Sequence, residues 1–122
     1  MRENIVVQKS YDFSLKIVRL YKDLIEKKKD YVISRQILRS GTAIGSNVEE
    51  AIGGQSKKDF VAKLSIAYKE ARETHYWLRI LRDSDFMEKE QAEEFLKDCD
   101  ELMRIIGSIQ KTIKSQLSLQ NS

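Results

Sequence analysis

Residues 34–81 read SRQILRSGTAIGSNVEEAIGGQSKKDFVAKLSIAYKEARETHYWLRIL, and the spacing of their apolar residues decides the fold. Phe60, Leu64, Ala67, Ala71, Thr74, Leu78 and Leu81 recur in steps of four and three. That is one seam of an amphipathic helix, as narrow as the stripe of a bundle helix. Ile37, Gly41, Ile44, Val48 and Ala51 keep the same rhythm ahead of it. Gly41 and Gly45 fall inside that earlier helix, where each costs about 1 kcal/mol relative to alanine. Close approach of a neighbouring backbone is the expected compensation. Ser40, Gly41, Ala43, Gly45 and Ser46 give the helix a thin face, and Ala67 and Ala71 are the small residues expected to meet it.

Working outward, the pattern predicts four helices at about 10–29, 34–52, 57–82 and 87–117. Ser10 is the expected N-cap of the first, after an irregular arm over residues 1–9. Its core positions are Phe13, Ile17, Leu20 and Leu24, broadened by Val18, Tyr21 and Ile25. Lys27, Lys28 and Lys29 close it where cations complement the helix dipole. Ser34 is the expected cap of the second helix, which stops at Gly53-Gly54. Ser56 with Asp59 has the capping-box pattern for the third, and Asp85 with Glu88 repeats it before the fourth. The fourth has the most regular seam: Ala92, Phe95, Cys99, Leu102, Ile106, Ile109 and Ile113. It is expected to fray after Leu117 and leave SLQNS as a tail. Short connections make sequence neighbours antiparallel, so the expected architecture is an all-α, single-domain, up-down-up-down four-helix bundle over residues 1–122.

Composition agrees. A chain of 122 residues with no proline, five glycines and 34% charged side chains favours long helices over a sheet with tight turns. The lone Cys99 allows no internal disulfide and suits a reducing compartment. The N-terminal MRENIVVQKS has no signal-peptide core and no apolar run is long enough to span a bilayer, so a soluble cytoplasmic protein without membrane contact is expected. The net charge of +3 is unevenly spread. Residues 1–58 carry twelve basic and seven acidic side chains, residues 83–101 two basic and nine acidic, and residues 102–122 three basic and none acidic.

The run RSGTAIGSNVEEAIGGQSKKDF, followed by KLSIAYKEARETHYWLRIL, resembles the signature of the four-helix-bundle family encoded in 23S ribosomal RNA intervening sequences. Ser-Gly-Thr, Ser-Asn-Val-Glu-Glu and Lys-Glu-Ala-Arg-Glu-Thr stand in the right order and spacing. The resemblance implies an antiparallel bundle assembled as a ring, a homopentamer, and no particular reaction. More distantly the chain is similar to the accessory proteins of diversity-generating retroelements, basic bundle pentamers that bind nucleic acid and a reverse transcriptase.

Candidate chemistry is sparse. Glu50, Glu70 and Glu73 invite a di-metal carboxylate site, but that arrangement needs Glu-x-x-His on each of two helices. His75 is the only histidine and follows Glu73 by two, so the pair does not share a helix face. Asn47, Glu50, Glu70 and Glu73 read better as a structural polar network fixing helix register, with no metal and no cofactor. An enzyme built on that cluster is the remote alternative. Cys99 reads as a small core residue, and no catalytic residue is assigned.

The flanks of the third helix say more. Ser65, Tyr68, Arg72, His75, Arg79 and Arg82 interleave arginines with rings, a pattern able to contact phosphates and stack on unpaired bases. The plainer reading of Arg79 and Arg82 is pairing with the acidic start of the fourth helix. On the other flank, Trp77 and Ile80, with Tyr76 nearby, exceed what one seam needs, and are expected at an oligomer interface. Topology gathers Lys9, Lys57, Lys58, Lys111 and Lys114 at one end of the bundle. The leading expectation is a non-enzymatic ring that binds nucleic acid, structured RNA or a ribonucleoprotein, through Lys57, Lys58, Lys111, Lys114 and Arg72. The alternative is a purely protein-binding oligomeric scaffold.

Overall fold

Side-chain periodicity becomes packing in a computed structural model that describes residues 2–120, with side chains for 4–119. Four helices follow in order: α1 Arg2–Glu26, α2 Ile33–Ile52, α3 Lys57–Asp83 and α4 Lys89–Gln120. Each packs on its sequence neighbour and α4 closes on α1. Register contacts run antiparallel throughout. Arg39 meets Glu73 while Lys63 meets Glu50 at 3.6 Å across α2–α3. Gln110 Nε2 donates to Ser65 Oγ at 2.7 Å, and His75 Nε2 lies 3.2 Å from Asp100 Oδ1, across α3–α4. Lys9 pairs with Glu101 at 3.0 Å, and Phe13 sets its ring edge against Phe95, across α1–α4. This is the up-down-up-down bundle.

The seams form the core. Phe13, Ile17, Leu20 and Leu24 of α1 are buried with Ile37, Ile44, Val48 and Ala51 of α2. Leu64, Ala67, Ala71, Thr74, Leu78 and Leu81 of α3 meet Ala92, Phe95, Cys99, Leu102, Ile106 and Ile109 of α4 in the same core. Buried hydroxyls are all satisfied, as burial demands. Thr74 Oγ1 shares hydrogen bonds with Ser40 Oγ (2.9 Å) and the Glu70 carbonyl (2.8 Å). Among the described residues no buried side-chain nitrogen or oxygen lacks a partner.

Several boundaries differ from the pattern reading. There is no irregular arm over residues 4–9: α1 is helical from Arg2, and only Met1 of that stretch lies outside the described residues. Ser10 is therefore not a cap. It is buried mid-helix, its hydroxyl turned back to the Val7 carbonyl at 3.2 Å. Val6, also buried, extends the α1 seam by two turns. At the other end α1 stops at Glu26, so Lys27–Lys29 lie beyond it, and Lys29 takes a positive φ of 55°. Ser34 does not cap α2 either. The Asp30 carboxylate accepts from the Ser34 N–H at 2.7 Å and the Ile33 N–H at 3.4 Å, while Ser34 Oγ donates to the Asp30 carbonyl at 2.7 Å. Ser56 caps α3 as read, accepting from the Asp59 N–H at 3.1 Å. Helix α4 starts at Lys89 and runs without fraying at Leu117 to Gln120; Asn121 and Ser122 of the expected tail lie outside the described residues.

The two glycines of the thin α2 face lie against α1, while Ser40 of the same face meets Thr74 of α3. A Cβ at Gly41 would lie 2.8–3.0 Å from the Ile17 side chain, and one at Gly45 would lie 3.2 Å from the Ser10 carbonyl oxygen. These are distances that real Cβ atoms rarely or never reach, so close approach of α1 accounts for both glycines.

Candidate nucleic-acid interface

The α3–α4 pair sets its own register. Gln110 on Ser65 and Gly107 facing Tyr68 place Lys111 level with Leu64 and Lys114 level with Val61. Lys57 and Lys58 open α3 one turn further along. All four lysines are exposed, and none has a carboxylate within 4.0 Å among the described residues. Lys9 leaves this group because Glu101 holds it, and Glu50 is occupied by Lys63. Among the described residues, the result is a rim of unpaired cations at the end of the bundle where α3 begins and α4 finishes.

From that rim a groove runs along α3 and α4. Ser65, Tyr68, Arg72, His75 and Arg79 line it with Asp100 and Met103, and exposed Lys69 and Tyr76 stand at its lip. From Lys58 to Arg79 the cationic strip is about 32 Å long at the helical rise of 1.5 Å per residue. Lys69, Arg72 and Arg79 have no ion pair within 4.0 Å among the described residues, and Arg79 sits 5.7 Å over the Tyr76 ring. Arg79 is thus not matched to the start of α4, as the plainer reading had it. Arg82 is outside the groove and hydrogen-bonds its neighbour Asp83 (Nε–Oδ1 2.8 Å), which lowers the Asp83 carboxyl and raises the guanidinium. Lys69, Asp100 and Met103 were missed in the sequence. The first two are surface charges whose relevance depends on register between helices, and Met103 flanks its seam.

The anticipated polar network is not brought together as one cluster. Asn47 Nδ2 donates within its own helix to the Ala43 carbonyl at 2.8 Å. Glu50 is exposed and faces Lys63. Glu70 and Glu73 are joined by Arg39, which reaches Glu70 at 2.8 Å and Glu73 with its other terminal nitrogen. Burial opposes the Arg39 charge, and the hydrogen bonds to Glu73 and Glu70 more than offset it, raising the guanidinium above its ordinary value. Among the described residues no three His, Cys, Asp or Glu side chains are grouped to hold a metal ion. Register between α2 and α3 is fixed instead by this clamp and by Ser40–Thr74.

On the flank facing α2, Trp77 is half-buried against the core and its indole N–H donates to Glu73 at 3.3 Å. Ile80 is half-buried, while Ile66 and Tyr76 are exposed, and the Tyr76 ring meets Trp77 edge-on with centroids 5.2 Å apart. No helix among the described residues is long and apolar enough to cross a membrane.

Residues 2–108 match the family model described as 23S rRNA-intervening sequence protein. A similar solved structure is the 1.70 Å crystal structure of a protein of unknown function from the S23 ribosomal protein family of Bacteroides thetaiotaomicron. It is 47% identical, covers 91% of this chain and 99% of its own, and superposes with a TM-score of 0.90. No curated protein matches the chain.

Proposed function

The chain belongs to the 23S rRNA-intervening sequence protein family, and from that premise we propose that it is a cytoplasmic, non-enzymatic scaffold that forms a homopentameric ring and binds nucleic acid. The observation that carries the reading is the rim: Lys57, Lys58, Lys111 and Lys114 converge at one end without carboxylate partners among the described residues, and Arg72 continues them along the groove. Identical subunits pointing the same way repeat this rim around one face of the ring. Phosphates bind such a face by displacing counterions, whatever the sequence of the nucleic acid.

Two measurements test it. The native mass, taken before and after nuclease, reports both the ring and any retained nucleic acid. Binding to RNA and DNA is then titrated with salt, where the log–log slope is about −0.9 per phosphate neutralised on duplex DNA. Charge reversal at the four lysines abolishes binding and leaves helicity and mass unchanged. Wild-type protein that binds no nucleic acid at low salt sinks the proposal in favour of a protein-binding scaffold.

A further inference from the structure

We propose that the α3–α4 groove seats unpaired bases, so that the nucleic acid held at the rim is a single-stranded segment. The inference rests on the rim reading and deepens it. Charge in the groove is already sorted. Its acids are engaged, Glu73 by Arg39 and Trp77, and Asp100 by His75. Its cations Lys69, Arg72 and Arg79 hold no carboxylate among the described residues. A polyanion therefore meets free positive charge there, and not a closed set of ion pairs.

Rings stand between those cations. Tyr68 packs where α4 has no side chain, its Cε2 3.7 Å from where a Cβ on Gly107 would be, and Tyr76 is 48% exposed with Arg79 above its ring. The two tyrosines are about 12 Å apart along α3, with Arg72 between them. In a duplex the faces of the bases are covered by their own stack, so these rings have nothing to engage. Unpaired bases expose their faces, and stacking on aromatic side chains tolerates any base. A second feature adds selectivity. Asp100 is half-exposed and accepts only; with one oxygen at His75, the other is available to the amino group of an unpaired cytosine or adenine, which uracil lacks.

Fluorescence anisotropy on the full chain tests this with unstructured CA-repeat oligomers of about 12 nucleotides, oligo-U, and the CA-repeat paired into a duplex. CA-repeat RNA and DNA are both expected to bind, because neither the rings nor the carboxylate reads the sugar, and both more tightly than the duplex. Tyr76→Leu keeps apolar surface but removes the stacking face. It should weaken single-strand binding about tenfold or more and leave duplex binding unchanged. Asp100→Asn, which can donate as well as accept, should narrow the preference for CA-repeat over oligo-U. Single strand and duplex bound alike, with both variants silent, overturns the base seat while the rim reading stands. Rim charge reversal that leaves both duplex binding and Tyr76-dependent single-strand binding intact overturns the rim and keeps the seat. A poly-glutamate peptide that binds as tightly as the CA-repeat overturns the seat in favour of an acidic protein partner.

Discussion

At the scale of single residues, the glycines separate packing from propensity. Gly41→Ala adds a Cβ that must overlap a fully buried Ile17, whose atoms lie 2.8–3.0 Å away. Overpacking a tight core costs about 1–3 kcal/mol, more than the roughly 1 kcal/mol that alanine returns in helix propensity. Gly107→Ala adds the same group, where the nearest atom is Tyr68 Cε2 at an ordinary 3.7 Å. It should gain about 0.5–1 kcal/mol. Urea midpoints at unchanged slope should therefore move in opposite directions for the two variants. Cys99 supplies a second check. Burial, with Asp100 and Asp98 adding to it, pushes its thiol from 9.0 up to about 12. The folded state retains a proton that the unfolded chain releases above pH 9, so this contribution is full below pH 9 and is lost as pH rises toward 12. A thiol reagent at pH 8 should label Cys99 only at the rate of unfolding; fast stoichiometric labelling of native protein would contradict the buried geometry.

At the scale of helices, the cap of α2 is the informative joint. Asp30 reaches over three residues to the Ile33 and Ser34 amides, and Val32, which precedes the helix, offers no side-chain cap. Asp30→Ala should cost about 1 kcal/mol and Asp30→Asn less, since asparagine also accepts at a cap. Thermal melts followed by circular dichroism measure the difference, and equal melting of all three proteins would rule Asp30 out as the cap. The helices themselves were legible because their seams repeat over many turns. Their ends were not, because a cap is one side chain with several uses. Ser10 has capping chemistry, yet Val6, Ser10 and Phe13 already continue the spacing of Ile17, Leu20 and Leu24. A hydroxyl at a seam position looks like a boundary when it is a satisfied core residue. Likewise Ser34 donates to the Asp30 carbonyl, a role its spacing alone does not distinguish from capping.

At the scale of the whole molecule, what the sequence withheld is register between helices. Periodicity gives each helix a face but not the height at which it meets its neighbour. That is why the glycines of α2 were matched to α3 when Ile17 and Ser10 of α1 lie against them, and why Arg39 as the partner of Glu70 and Glu73 was not foreseen. The same register decides how the proposed ring is to be tested. Trp77 works inside the subunit, packed on the core with its N–H on Glu73, so replacing it with a polar residue damages the fold and the interface together. Ile66 is 43% exposed on that flank and does less within the subunit, and Ile80 is half-buried on the same flank about 21 Å further along α3. Surface of this kind is where aromatic and aliphatic anchors carry most of an interface's energy. Ile66→Glu with Ile80→Gln should therefore shift native mass toward monomer at micromolar concentration with helicity unchanged. Trp77→Phe, which keeps the packing and loses only the N–H, should leave the mass alone. Analytical ultracentrifugation reads both. A wild-type chain that sediments as a monomer at that concentration removes the ring, and with it the repetition of the cationic rim on which strong phosphate binding depends.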